Sequence, residues 1–280
     1  MVARAGGATH TAKRGGFVMP ALPPKKPTRI IPAVKDMVFG APRPLPPPDE
    51  VKDLLGTHEL LLGIDVETHQ LTPRNSSRIG IGKYGLWSVD LGESCDHLRV
   101  VQIGWSKGTV GTDYPRTVAR VIRPAGFVID SAATALHRIS MEMAETDGIA
   151  LKQVLAEFFS EAVGVDNAGG RVVAHNLPFD AQLIENEMRR TGMLEEADAW
   201  AAIVKRGLCT MDPRTTHWVR NMAGLDGVPM MVRMGLKDLS AILLPNQLAL
   251  RKQHHDAGSD AEMHWFVARE LKRLANAPVD

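Results

Sequence analysis

A chain of 280 residues with 44% hydrophobic content is long enough to bury one full core of α/β size. Its 33 Lys and Arg against 32 Asp and Glu leave a net charge of +1, which excludes a polycation that coats nucleic acid indiscriminately. Two cysteines, Cys95 and Cys209, exclude a disulfide framework and point to a reducing, intracellular setting, and no apolar run approaches the ~20 residues of a membrane-spanning helix.

The first 50 residues carry ten of the 18 prolines, in stretches such as "PALPPKKPTRIIP" and "PRPLPPPDE". That density opposes helix and sheet alike, so residues 1–50 read as an extended, disordered arm. The arm holds eight Lys and Arg and three Asp and Glu, which leaves −4 for residues 51–280. It has no acidic residue before Asp36, as in an organelle transit peptide, but also no serine and no clear amphipathic helix. Nucleus, cytoplasm and organelle therefore stay open, and the prolines offer a docking segment for a protein partner.

From Val51 the texture turns globular. "ELLLGIDVET" is an apolar run ending in acids, as expected of a strand buried on both faces. "RVVQIGWS" and "RTVARVIRP" read as the next two strands, antiparallel to that first one and joined by a turn around "SKGTVGTDYP". Asp147 is placed to cap a helix whose buried face is Leu151, Val154, Leu155, Phe158 and Ala162. "RVVAH" is a short strand, and "NLPFDAQLIENEMRRTGM" a helix with Pro178 in its first turn and Gly192 near its end. "GLKDLSAILL" predicts a further short helix. Ser259 with Glu262 spells a capping box for a last helix striped by Met263, Val267, Leu271 and Leu274. Strands first, then strands and helices mixed, make an α/β sandwich around a mixed sheet.

Three segments carry candidate chemistry. In "GIDVETHQL", Asp65 and Glu67 stand two apart at a strand end and leave the same face. Two carboxylates projected together repel unless a hard cation such as Mg²⁺ or Mn²⁺ neutralises them, or unless both face water. In "VVAHNLPFDAQL", Asp180 lies one turn into a helix, where the helix dipole alone also favours an acid. In "HHDAGSDAEM", Asp260 heads the apolar stripe of the last helix, with His255 on the loop before it. A zinc site built from Asp260, His264 and His254 or His255 is the alternative there, without a cysteine pair or H-E-x-x-H motif to support it.

Taken in order, these segments resemble the histidine subgroup of the DEDD (DnaQ-like) 3′→5′ exonuclease superfamily, over roughly residues 58–275. D-x-E is Asp65-Val66-Glu67. H-N-x-x-F-D is matched by His175, Asn176, Phe179 and Asp180, and H-x-A-x-x-D-A by His255, Ala257, Asp260 and Ala261. The resemblance implies an RNase H-like exonuclease fold, a mixed β-sheet flanked by helices, across residues 51–280. It implies hydrolysis of DNA or RNA from a free 3′ end with release of nucleoside 5′-monophosphates. Two Mg²⁺ or Mn²⁺ ions would be held by Asp65, Glu67, Asp180 and Asp260, with His255 as general base. Thr68, Asn176 and His137, the last in an "ALHRIS" segment where the family has V-H-G-I, are the implied nucleotide contacts. A binding or scaffold protein that kept the fold without activity is the alternative from another class.

The chain departs from that family by an insertion at about residues 70–99. Its "GIGKYG" spells G-x-G-x-x-G but lacks the following helix a dinucleotide site requires. Two readings of the insertion remain. In one, a flap brings Arg74, Arg78 and Lys83 to phosphates and stacks Tyr84 or Trp87 on a base. In the other, it is a structural hairpin with Trp87 packed down. Asp256, beside His255, is placed either to raise that histidine's pKa or to face solvent.

Overall fold

The computed structural model describes residues 45–71, 79–89, 95–225, 227–245 and 255–278. The arm up to residue 44, the segment holding Arg74 and Arg78, and His254 lie outside the described residues. Among the described residues, no helix is long and apolar enough to cross a membrane.

Helix α1 (Asp49–Leu55) opens with two acids that complement its dipole. Strand β1 (Leu60–Thr68) follows. The "GIGKYG" segment turns between two short antiparallel strands, β2 (Ile79–Ile81) and β3 (Trp87–Val89), with Gly85 at φ 75°, so it joins strand to strand and not strand to helix. Strand β4 (Val100–Thr109) runs antiparallel to β1, as the sequence predicts, and β5 (Arg116–Val121) antiparallel to β4, so β5, expected antiparallel to β1, runs in the same direction as β1. Helices α2 (Ser131–His137) and α3 (Met141–Asp147) come next. Asp147 closes α3 and does not cap the next helix; Ser140 caps α3 by accepting from the Met143 N–H at 3.1 Å. Helix α4 (Leu151–Asn167) leads to β6 (Arg171–Ala174), and α5 (Leu177–Arg190) leaves it with Pro178 in the first turn. The remainder is α6 (Leu194–Lys205), β7 (Leu208–Cys209), α7 (Pro213–Met222), α8 (Leu236–Leu243) and α9 (Ala257–Ala275).

The main sheet runs β5-β4-β1-β6-β7, with β6 and β7 parallel to β1. Alternation along β1 divides its side chains between two layers. Leu62, Ile64 and Val66 join a core with α4, α5 and α6, where the Phe158 ring meets Trp105 and Trp200 edge-on at 5.8 and 5.2 Å. Leu61 joins the opposite core with α1, α7, α8 and α9. Gly63, Asp65 and Glu67 share the Leu61 face by the same alternation.

That face is notched to receive α9. A Cβ on Gly63 would lie 2.2 Å from the Ala261 carbonyl oxygen, and one on Gly104 only 2.0 Å from that of Ala257. Asp65 and Gly104 are register partners, so the helix start presses on the sheet directly over the D-x-E segment. Asp256, and not the Ser259–Glu262 pair, caps α9; its Oδ2 accepts from the Ser259 N–H at 3.0 Å and Oγ at 2.9 Å. Gly104→Ala is expected to cost roughly 2–3 kcal/mol in urea unfolding, because the atoms met are backbone and cannot rotate away. Gly164→Ala, mid-helix with open space around it, is expected to stabilise by about 0.5–1 kcal/mol. Equal effects from the two would contradict the notch.

Candidate metal and catalytic centre

Strand alternation sends Asp65 and Glu67 toward α9, as the sequence predicts, and β1 shifts register between Glu67 and Thr68 just as it leaves the sheet. Asp180 stands one turn into α5, 2% exposed, and its Oδ1 accepts from the Val66 N–H at 3.2 Å. Asp260 is in the first turn of α9, and its Oδ2 accepts from the His255 N–H at 2.9 Å. Ligand atoms of Glu67, His255 and Asp260 all lie within 4.8 Å of one another. Three segments, 113 and 75 residues apart in the chain, therefore come together.

The electrostatics show what gathering them costs. Burial, followed by Asp180, Asp260 and Glu67, pushes the Asp65 carboxyl well above the ordinary carboxylate range. Burial, then Asp260 and Asp180, pushes Glu67 up to about 8. Asp180 is raised well above its usual value by burial, against the opposing effect of the Val66 N–H. The charged groups that act most strongly on Asp65 and Glu67 are all carboxylates. Carboxylate oxygens with one imidazole form a donor set for a hard or borderline divalent cation, so the residues present fit such an ion. His264 stays out of this trio: it is buried, and its Nδ1 meets the Ile64 carbonyl oxygen at 2.7 Å. That corrects the zinc alternative built on Asp260 and His264.

The backbone is strained at the same place. Among the described residues, those other than glycine at positive φ are Arg138, Asn176 and His255, at 66°, 72° and 70°. Each belongs to a segment singled out by the sequence, and such conformations persist only where surroundings impose them.

The implied nucleotide contacts look different in place. Both His137 ring nitrogens are engaged with backbone: Nε2 meets the Thr68 carbonyl at 3.2 Å and Nδ1 accepts from Ile139 N–H at 3.1 Å. The Thr68 hydroxyl donates to the Gln70 carbonyl at 2.8 Å. Asn176 Oδ1 accepts from Ser88 Oγ at 3.3 Å, which brings the β2–β3 hairpin to the second motif. His175 is half-buried between Thr210 and the Met234 carbonyl, at 3.1 and 3.0 Å, and desolvation, then His264, pushes its pKa down to about 3.

The hairpin is docked, which corrects the stacking role expected of Tyr84. Tyr84 is 4% exposed and donates to Glu185 Oε2 at 2.6 Å, while Lys83 reaches Glu185 Oε1 at 2.7 Å. Burial alone would raise Glu185, but the bonds from Lys83, Tyr84 and Arg189 outweigh it and hold the carboxyl below its usual range. Asp256 is half-buried and engaged with the protein: its Oδ1 accepts from Gln102 Nε2 at 3.0 Å. Gln102 was missed by motif reasoning, although a polar residue inside the apolar run "VVQIGW" was a signal.

No protein-family model matches this sequence, and no curated protein matches it significantly. Among solved structures, one of exonuclease I superposes with a TM-score of 0.54 at 16% identity, covering 78% of this chain and 43% of that one. The chain shares the fold of the matched part of exonuclease I. E. coli exonuclease I in its zinc-bound complex with single-stranded DNA gives 0.53 at 14% identity, over 78% and 41%. The enzyme from Methylocaldum szegediense gives 0.50 at 15% identity, over 76% and 40%. This chain thus spans less than half the length of each of these exonuclease I chains. The mixed sheet flanked by helices is the RNase H-like architecture expected from the motifs.

A carboxyl whose folded pKa exceeds its unfolded value contributes stability that is complete below the unfolded value and is lost as pH rises through the folded one. For Glu67 the window runs from 4.5 to about 8. With divalent ions removed by EDTA, the melting temperature is expected to fall by roughly 3–6 °C between about pH 5 and 8. Glu67→Gln should flatten that fall. A melting temperature constant across the window in the unsubstituted protein would show that the carboxylates do not repel as described.

Proposed function

We propose that the protein is a metal-dependent 3′→5′ exonuclease of the histidine-type DEDD class, releasing nucleoside 5′-monophosphates from single-stranded nucleic acid. The observation that carries this reading is the meeting of Asp65, Glu67, Asp180, Asp260 and His255 at one point on the fold of exonuclease I. Single-stranded DNA is the favoured substrate because exonuclease I has been solved in complex with it.

Asp65, Glu67 and Asp260 would hold one divalent cation, and Asp65 with Asp180 a second. Such ions supply Lewis-acid charge at phosphorus-bound oxygens and a water acidic enough to be deprotonated near neutrality. His255 would take the proton from the attacking water. Its side chain is exposed and its ring lies within 4.8 Å of the Glu67 and Asp260 carboxylates, a placement suited to a general base. Its backbone N–H, donating to Asp260, ties the base to a metal-holding carboxylate. Thr68 and Asn176 flank the position of the terminal nucleotide, and His137 supports it indirectly by fixing the Thr68 carbonyl at the strand exit.

The test is cleavage of 5′-labelled single-stranded DNA, single-stranded RNA and their duplexes with Mg²⁺ or Mn²⁺. A ladder shortening from the 3′ end is expected, fastest on single-stranded DNA and abolished by EDTA. Folded Asp65→Asn and His255→Ala proteins should each lose roughly 10²–10⁴-fold in kcat. Cleavage that survives EDTA or both substitutions would overturn the assignment. No cleavage, with single-stranded DNA still bound, would favour the scaffold reading.

A further inference from the structure

One carboxamide joins the central sheet to the segment that carries His255. Gln102 lies on β4 as the register partner of Glu67 and is 6% exposed. Its Nε2 donates to Asp256 Oδ1 at 3.0 Å, and its Oε1 accepts from the Ala257 N–H at 2.9 Å. The Ala257 N–H can only donate and an ionised Asp256 can only accept, so the amide has one orientation that satisfies both. Asp256 spends its other oxygen on Ser259, capping α9. The two residues Gln102 grips therefore follow His255 directly and open the helix that carries Asp260.

Resting on the nuclease reading above, we propose that Gln102 is a positioning residue. It sets His255 and Asp260 against Glu67 by clamping the first turn of α9 to the strand that flanks Glu67. The left-handed backbone at His255, unfavourable for a residue with a side chain, needs such an external restraint. The glycine notch lets the helix start approach, and the carboxamide fixes where it stops. Groups that hold ligands and bases from behind in this way change metal affinity or activity by about 10–100-fold when removed.

Gln102→Leu keeps the volume and cuts both bonds. Its kcat on 5′-labelled single-stranded DNA is expected to fall about 10–100-fold with KM changed by less than about twofold. Calorimetric titration with Mn²⁺, without nucleic acid, should show a comparable loss of affinity. A purely structural glutamine would lower the melting temperature and leave both kcat and Mn²⁺ affinity within about twofold of the unsubstituted protein; that result overturns the proposal. Gln102→Glu alone sets carboxylate against carboxylate and should be at least as damaging as Gln102→Leu. Combined with Asp256→Asn, it reverses donor and acceptor across the same contact at unchanged total charge. The pair is expected to return to within about threefold of the original Mn²⁺ affinity and kcat.

A folded pair that fails to recover overturns the clamp, and the pair decides alone if Gln102→Leu does not fold. An unsubstituted protein that binds Mn²⁺ but cleaves nothing would sink the nuclease reading and leave the Mn²⁺ titrations to judge Gln102. One that neither binds Mn²⁺ nor cleaves would overturn both.

Discussion

Asp65, Glu67, Asp180 and Asp260 repel one another, and burial raises the cost of keeping them ionised. Isolated side chains would swing apart, so the arrangement survives only because rigid elements deliver each of them. Asp65 and Glu67 are set by a central strand paired on both sides. Asp180 is fixed by its bond to the Val66 N–H of that same strand. Asp260 comes on a 19-residue helix whose approach is open only because positions 63 and 104 lack side chains. The packing of α9, through Met263, Phe266, Val267 and Leu271, supplies the free energy that holds like charges together.

Much of this was legible in the sequence, for physical reasons that differ by element. The run at β1 shows both its burial and, through a period of two, the shared face of Asp65 and Glu67. Helix α5 carries its own start and stop signals in Pro178 and Gly192. Boundaries were harder where several residues could cap. Asp147, Asp256 and Ser259 all suit a cap, and the choice fell to tertiary contacts: Gln102 on the distant β4 holds Asp256. Helices α6 and α7 escaped a sequence reading because their partners lie elsewhere. Trp200 of α6, for instance, is fixed by meeting Phe158 edge-on and donating to the Ala181 carbonyl at 3.0 Å.

The insertion after the first motif shows how local composition misleads about exposure. Lys83, Tyr84 and Trp87 have the chemistry of a nucleic-acid contact, yet buried Glu185 on α5 takes the first two. Glu187, two residues on, receives Arg99 at 2.8 Å and the Val100 N–H at 3.1 Å. Buried acids on one helix thus anchor both the hairpin and the chain that re-enters the sheet at β4. No pattern in the sequence marks Glu185 and Glu187 as buried, because the local Arg189 and Arg190 pairs suit an exposed helix face equally and the distant partners Lys83 and Arg99 complete their burial. The result is a hairpin fixed beside Asn176 of the second motif.

The central claim is that the carboxylates are gathered in order to hold divalent cations. It is tested most directly by a crystal structure of the protein soaked in Mn²⁺, with anomalous scattering recorded at the manganese edge. The account predicts anomalous density within bonding distance of Asp65, Glu67 and Asp260, and a second peak on the Asp180 side. Manganese absent from the cluster, with the carboxylates protonated or turned away from one another, would contradict it.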